Sequence, residues 1–231
     1  MEIHPSLLTY WIAHLMGVED LHHFAYKDHI IAAGLTFVLL TVFGLVLRAR
    51  MSLVPGKAQQ VMELFVSGVY GLLEENMGKE GRKYIPLIAT LGLFILISNL
   101  MGMVPGLSSS TGNYNTPVAC ALIVFVYYNF QGIKEHGFGY IKQFTGPIWW
   151  MVPLMLPIEI ISHCARPFSL SMRLFMNIAG EHLVVGIIAG IAPWVIPIPL
   201  MALGLLAACI QTFIFVMLTT LYIAGAKSHD H

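Results

Sequence analysis

Residues 84–133 form fifty consecutive positions with no Asp, Glu, Lys or Arg. Across the eighty-four positions 143–226, only Glu159, Arg166, Arg173 and Glu181 carry charge. Stretches like these cannot face water along their length, because soluble domains spend about 25% of their residues on charge. The whole chain of 231 residues holds 10% charged and 57% hydrophobic residues, with mean hydropathy +0.77. It reads as an integral, multi-pass membrane protein in contact with the lipid bilayer. Twelve basic and twelve acidic residues cancel, which leaves no cationic surface for nucleic acid. Cys120, Cys164 and Cys209 stand far apart in apolar surroundings and read as small core hydrophobes.

A crossing helix takes about 20 apolar residues. Residues 30–47, 84–104 and 114–133 supply three such spans. Basic residues then set the orientation. Arg48, Arg50 and Lys57 follow the first span, Lys79, Arg82 and Lys83 precede the second, and Lys134 and Lys142 follow the third. All fall on the inner side if the N-terminus is outside. Lys227 puts the C-terminal tail, 227–231, inside as well, so the chain after Lys142 crosses an even number of times. Residues 57–77 (KAQQVMELFVSGVYGLLEENM) place apolar side chains at helical spacing between charged flanks. They suit an amphipathic segment on the inner surface, although a soluble helix has the same pattern. Residues 1–29 form an outer segment with no assigned role. Glu2 stands where a signal peptide has basic residues, and Glu19-Asp20 closes the apolar stretch without a small-residue cleavage site. The uncharged linker 106–113 (GLSSSTGN) suits an outer loop.

The last third is different. Residues 146–190 would make roughly 65 Å of helix, against a hydrocarbon core of about 30 Å. That helix must lie strongly tilted or break near Pro153, Pro157 or Pro167. Residues 190–199 (GIAPWVIPIP) signal a turn, after which 200–224 return as a helix. The expected architecture is all-α, with three ordinary spans (residues 30–142, including the surface segment) followed by a long oblique helical hairpin over 143–226, about five crossings in all.

Helical spacing gathers the hairpin's polar residues. At about 100° per residue and with Arg173 as zero, Glu159, Ser162, Arg166, Ser169 and Asn177 fall within roughly 40° of it, and Glu181 near 80°. Met172, Leu174 and Phe175 point away, and His182 falls on the opposite side. Symmetry about Ala192 brings Arg173 level with Gln211 and Glu181 level with Leu203 and Gly204. Gln211, Gly204 and Tyr222 share one stripe of the returning helix. A polar seam inside a membrane follows.

Burying an arginine at mid-membrane costs about 2.5–3.5 kcal/mol on insertion scales. A bland account has Arg166 or Arg173 snorkelling to an interface, or pairing structurally with Glu159 or Glu181. Arginine holds its proton too tightly to relay it, but its fixed charge keeps a neighbouring carboxylate ionised and repels protons. Glu181 and His182 can exchange protons. The combination suggests proton movement along a watered path with Arg173 as an electrostatic barrier. A secondary ion-coupled transporter also places charge in oblique or broken helices, usually within internal repeats that this chain lacks. A haem protein would need facing intramembrane histidines, whereas His163 and His182 lie on one helix. His22-His23 with His29 read as interfacial histidines rather than metal ligands. No phosphate loop or nucleophile constellation is present, so no cofactor is expected and ATP chemistry would belong to partners.

The run RPFSLSMRLFMNIAGEH at 166–182 resembles the signature of the a subunit of F-type ATP synthases. The run QTFIFVMLTTLY at 211–222 is similar to that family's second signature, and NLMGMVP at 99–105, Asn115-Thr116, and PGKAQ at 55–59 with Glu63 agree. The resemblance covers most of the chain from about residue 30. It implies a non-catalytic stator subunit of the F0 sector, packed against a rotating ring of c subunits and held by the b subunits of a peripheral stalk among the remaining ATP synthase subunits. It implies two offset proton half-channels, in a bacterial plasma membrane with the C-terminus cytoplasmic. Arg173 would face each c-subunit carboxylate. Asn177 and Gln211 would line the path, Glu159, Glu181 and His182 would serve the outer half-channel, and Ser169 would lie on the ring-facing stripe, with Tyr222 in the second signature. Met176 stands where family members often have glycine. His182 and Gly204 stand where some have an acid and a histidine, so Glu181 beside Gly204 would supply the titratable group.

Overall fold

The computed structural model describes residues 28–104, 107–137, 152–191 and 197–227. The His22-His23 pair, Lys142, the symmetry centre Ala192 and the tail beyond Lys227 lie outside them. Helix α1 runs Asp28–Ala49, and α2 runs Lys57–Met77 over the segment read as amphipathic. A 3-10 stretch, Gly78–Tyr84, leads into α3, Ile85–Gly102. A second 3-10 turn, Ser110–Gly112, precedes α4, Asn115–His136. The hairpin is α5, Val152–Ile191, and α6, Pro197–Lys227. No strand occurs among the described residues, and five helical stretches are long and apolar enough to cross a membrane.

Local chemistry accounts for the boundaries. Pro86 sits in the first turn of α3, where the amide hydrogen it lacks would have no intrahelical partner. Gly78 and Gly137 end α2 and α4 at φ +61° and +55°, a region that suits glycine at helix ends. Pro157 and Pro167 do not break α5, which is continuous over 40 residues. Of the two possibilities for this segment, tilt therefore applies. About 60 Å of helix cannot stand upright in a 30 Å core. Neighbouring helices supply what a proline takes from a membrane helix.

The core joins α2 through α6: Leu73, Ile88, Ile95, Tyr128, Leu174 and Phe215 are all fully enclosed. Outward-facing Phe37, Val126, Phe130, Ile161 and Leu203 form an apolar exterior suited to lipid. Helix α1 contributes His29, Ala32 and Thr36 to the interior, all near its start.

The two ends of the bundle differ. At one, Lys227 of α6 meets Glu80 at 2.5 Å and Glu135 at 3.7 Å, with its ammonium 5.9 Å from the Tyr84 ring centroid. At the other, the linker expected to be an outer loop is buried by its hydroxyls. Ser109 Oγ donates to the Ser98 carbonyl (2.9 Å), Ser110 Oγ to Ser98 Oγ (2.7 Å), and Thr111 Oγ1 to Asn99 Oδ1 (2.7 Å). Ser108 bonds Asp28 and so attaches α1.

Candidate functional site

Helix α5 presents one side to the bundle and another away from it. Leu170, Ser171, Leu174 and Ile178 are buried, whereas Ser169, Arg173 and Met176 are exposed. Glu159, Arg166, Asn177 and Glu181 are half-buried between these sides. Arg173 thus sits near the middle of an oblique, membrane-length helix and faces out of the chain. Among the described residues neither Arg166 nor Arg173 has an ion-pair partner.

Across the hairpin, Glu181 and Gly204 meet closely. A Cβ added to Gly204 would overlap the Glu181 carboxylate, so glycine is the residue that lets α5 and α6 enclose it. Beside this contact lies a cavity of about 210 Å³, lined by Asn177, Glu181, Leu203 and Gly204 among others. The sequence register anticipates this meeting. Asn177 Nδ2 and Gln211 Nε2 are buried without a hydrogen-bond partner. Leaving such donors unmade costs about 1–3 kcal/mol each, so the seam calls for acceptors, and the cavity beside Asn177 has room to admit them.

His182 looks elsewhere, as the helical count expects. Its ring is exposed, and Nε2 lies 3.3 Å from the position a Gly102 Cβ would take, where Ser109 also crowds. Adjacent residues therefore face different helices, Glu181 toward α6 and His182 toward α3.

Tyr222 does not sit beside Arg173. The Arg166 guanidinium lies 5.6 Å from the centroid of its ring, a cation–π contact that gives Arg166 a partner other than Glu159. The Glu181–Gly204 and Arg166–Tyr222 contacts fix the hairpin register at two points. Interpolating between them leaves Arg173 within a turn of Gln211.

Glu159 is far from Glu181. One unbroken helix separates them by roughly 33 Å, with Arg173 between. The resemblance implies one outer half-channel for both, and along this helix they stand on opposite sides of Arg173. The register places Glu159 toward the Lys227 end and Glu181 toward the hydroxyl-rich end.

Sequence reasoning missed a cluster next to Arg166. His163 Nε2 lies 3.0 Å from Asn129 Oδ1, and its ring packs edgewise on Phe125 and Tyr128, with centroids 5.8 and 5.3 Å away. No spacing rule within α5 points to α4, so the signal was absent. The hydroxyl knot was signalled only by its composition, an uncharged run of Ser and Thr. Among the described residues no group of three His, Cys, Asp or Glu could hold a metal.

Against known proteins, residues 30–224 match the family model described as ATP synthase A chain. The chain is similar to "ATP synthase subunit a 1" of Syntrophotalea carbinolica, with 45% identity over 99% of each chain. It is 47% identical to "ATP synthase subunit a" of Solidesulfovibrio magneticus, over 99% of this chain and 98% of the relative. With the Geobacter sulfurreducens protein of that name the identity is 44%, over 99% and 100%.

Proposed function

The chain belongs to the ATP synthase A chain family, and from that premise we propose that it is the non-catalytic stator subunit of a rotary ATP synthase, conducting protons by two half-channels to and from a ring of c subunits. As a member, it is an integral membrane component of the F0 sector that serves proton transport in ATP synthesis. The observation that carries the finer reading is the exposed Arg173 on a membrane-length helix. An uncovered guanidinium at that depth is costly, and a partner presenting a carboxylate would remove the cost.

Arg173 then acts as a fixed charge. It favours the ionised form of each ring carboxylate that passes, so the carboxylate releases its proton on one side and must collect another beyond the arginine. The guanidinium does not carry the proton itself. Asn177 and Gln211, with buried amide donors beside it, orient water and carboxylate oxygen. Glu181, His182 and the cavity between α5 and α6 form the outer path. Glu159, near the Lys227 end, belongs to the inner path. Ser169 lies on the exposed side with Arg173 and contributes to the ring contact. Tyr222 holds Arg166 on the inner side. Moving each charge through the membrane field yields about 2.3 kcal/mol per 100 mV.

Basic residues at the Lys227 end support a cytoplasmic C-terminus in a bacterial plasma membrane. The b subunits of a peripheral stalk would hold the chain against rotation.

The test is ATP-driven and passive proton flux in membranes carrying Arg173→Ala beside wild type. Coupled pumping and synthesis should vanish while the complex still assembles. Coupled transport that survives the substitution would remove Arg173 from the mechanism.

A further inference from the structure

Three helices meet at one level on the Lys227 side of Arg173. Asn129 of α4 is the fixed point: its Nδ2 donates to the Phe125 carbonyl at 2.8 Å, one turn earlier. The amide is thereby oriented with Oδ1 toward α5, and His163 Nε2 lies 3.0 Å from that oxygen. The imidazole must therefore donate from Nε2, which settles its tautomer when neutral. Phe125 and Tyr128 box the ring in, and Tyr128 also meets Tyr222 of α6 at 6.0 Å between centroids. Tyr222 in turn lies under the Arg166 guanidinium. Arg166 is one turn along α5 from His163, so the chain of contacts closes on itself.

We propose that His163 is a positioning residue of the ion path, acting through Arg166. Its bond to Asn129 fixes the rotation of α5 about its own axis at this level. That rotation sets Arg166 on the face of Tyr222 and aims Arg173, further along the same helix, out of the chain. Without the anchor, α5 would turn more readily at this level. Such a turn moves a guanidinium at the helix surface by several ångströms. Displacements of about 1 Å at a reacting group are enough to slow a reaction a hundredfold. The inference rests on the assignment of Arg173 given above. It adds a requirement on a residue that touches neither the ring nor the transported proton.

The contribution of the bond is bounded. Hydrogen bonds between membrane helices are worth little individually, and deleting one changes an equilibrium by about threefold to twentyfold. The experiment uses the whole synthase in inverted membrane vesicles, and reads ATP-driven acidification together with the amount of assembled complex. His163→Leu keeps bulk and removes the donor. His163→Gln keeps a donor that can reach Asn129. Asn129→Leu removes the acceptor. Pumping should fall about threefold to tenfold in His163→Leu and in Asn129→Leu, with assembly and uncoupled ATP hydrolysis near wild type, and His163→Gln should restore most of it. The proposal is overturned if His163→Leu pumps like wild type, if assembly falls in step with pumping, or if His163→Gln is as impaired as the leucine variant. Arg173→Ala in the same membranes separates the two claims. Its failure to abolish pumping would overturn the stator assignment, whereas its success with an active His163→Leu would overturn this inference alone.

Discussion

At the residue scale, Gly204 is the most informative single position. Its missing Cβ is where the Glu181 carboxylate lies. Because the obstructing atoms are the far end of a flexible side chain, Gly204→Ala should fold and assemble. The methyl group should push the carboxylate out of its place between α5 and α6, so proton pumping is expected to drop severalfold, toward the level of Glu181→Gln. Acidification of inverted vesicles, normalised to assembled complex, measures this, and wild-type pumping by Gly204→Ala would detach Glu181 from the path. Gly102 behaves differently. A Cβ there would meet the Ser109 Cβ at 2.5 Å, inside the hydroxyl knot rather than at a mobile tip. Overpacking of this kind costs about 1–3 kcal/mol, and Gly102→Ala should reduce the heat resistance of the subunit, read as retained assembled complex after a heat step.

At the scale of elements, the helices were legible because charge was so scarce. The blank stretch over residues 84–133 required two crossings, and the prolines at 193, 197 and 199 required a turn. The facing of Glu181 and Gly204 followed from helical spacing and a symmetric hairpin, since both are properties of one chain segment and its return. The fate of Pro157 and Pro167 was not legible. A proline states that a backbone bond is lost, but only the neighbours decide whether the helix breaks. The distance of Glu159 from Glu181 was not legible for the same reason: a polar stripe tells which side a residue takes, and a continuous helix tells how far along it lies. The His163–Asn129 contact joins two helices with no fixed register between them, which no one-dimensional spacing encodes. The hydroxyl knot makes a prediction of its own. Thr111→Val would leave Asn99 Oδ1 without its bond, and the loss of about 1–3 kcal/mol should show as faster proteolysis at the loop between α3 and α4.

At the scale of the whole molecule, the fold is a compact pack of α2, α3, α4 and α6, with the oblique α5 laid across it and α1 attached at one end. Lys227 ties the last turn of α6 to Glu80 and Glu135, elements that enter and leave the neighbouring crossings. The Lys227 side chain is largely covered, but both carboxylates stay open to solvent, and ion pairs screened in this way contribute little to stability, so Lys227→Gln should barely alter thermal denaturation of the purified complex. Charge matters more than bulk here. Lys227→Glu should weaken assembly by placing three carboxylates together, and adding Glu80→Lys should recover it. Equal assembly of the single and double variants would show that the contact is incidental.

The tilt of α5 has a geometric consequence. A rod of about 60 Å crossing a slab of about 30 Å is displaced sideways by roughly 50 Å from end to end. It is an inclined plane, and its pitch converts a fall across the membrane into travel along it. On the reading proposed above, the two mouths strung along this incline would open at different azimuths around the ring. The slab also sets the slope, since mismatch between hydrophobic length and bilayer thickness is relieved by changing tilt. A thicker bilayer steepens the ramp and shortens the lateral stride between its ends, so acyl-chain length sets how far apart along the membrane plane the two ends of α5 stand.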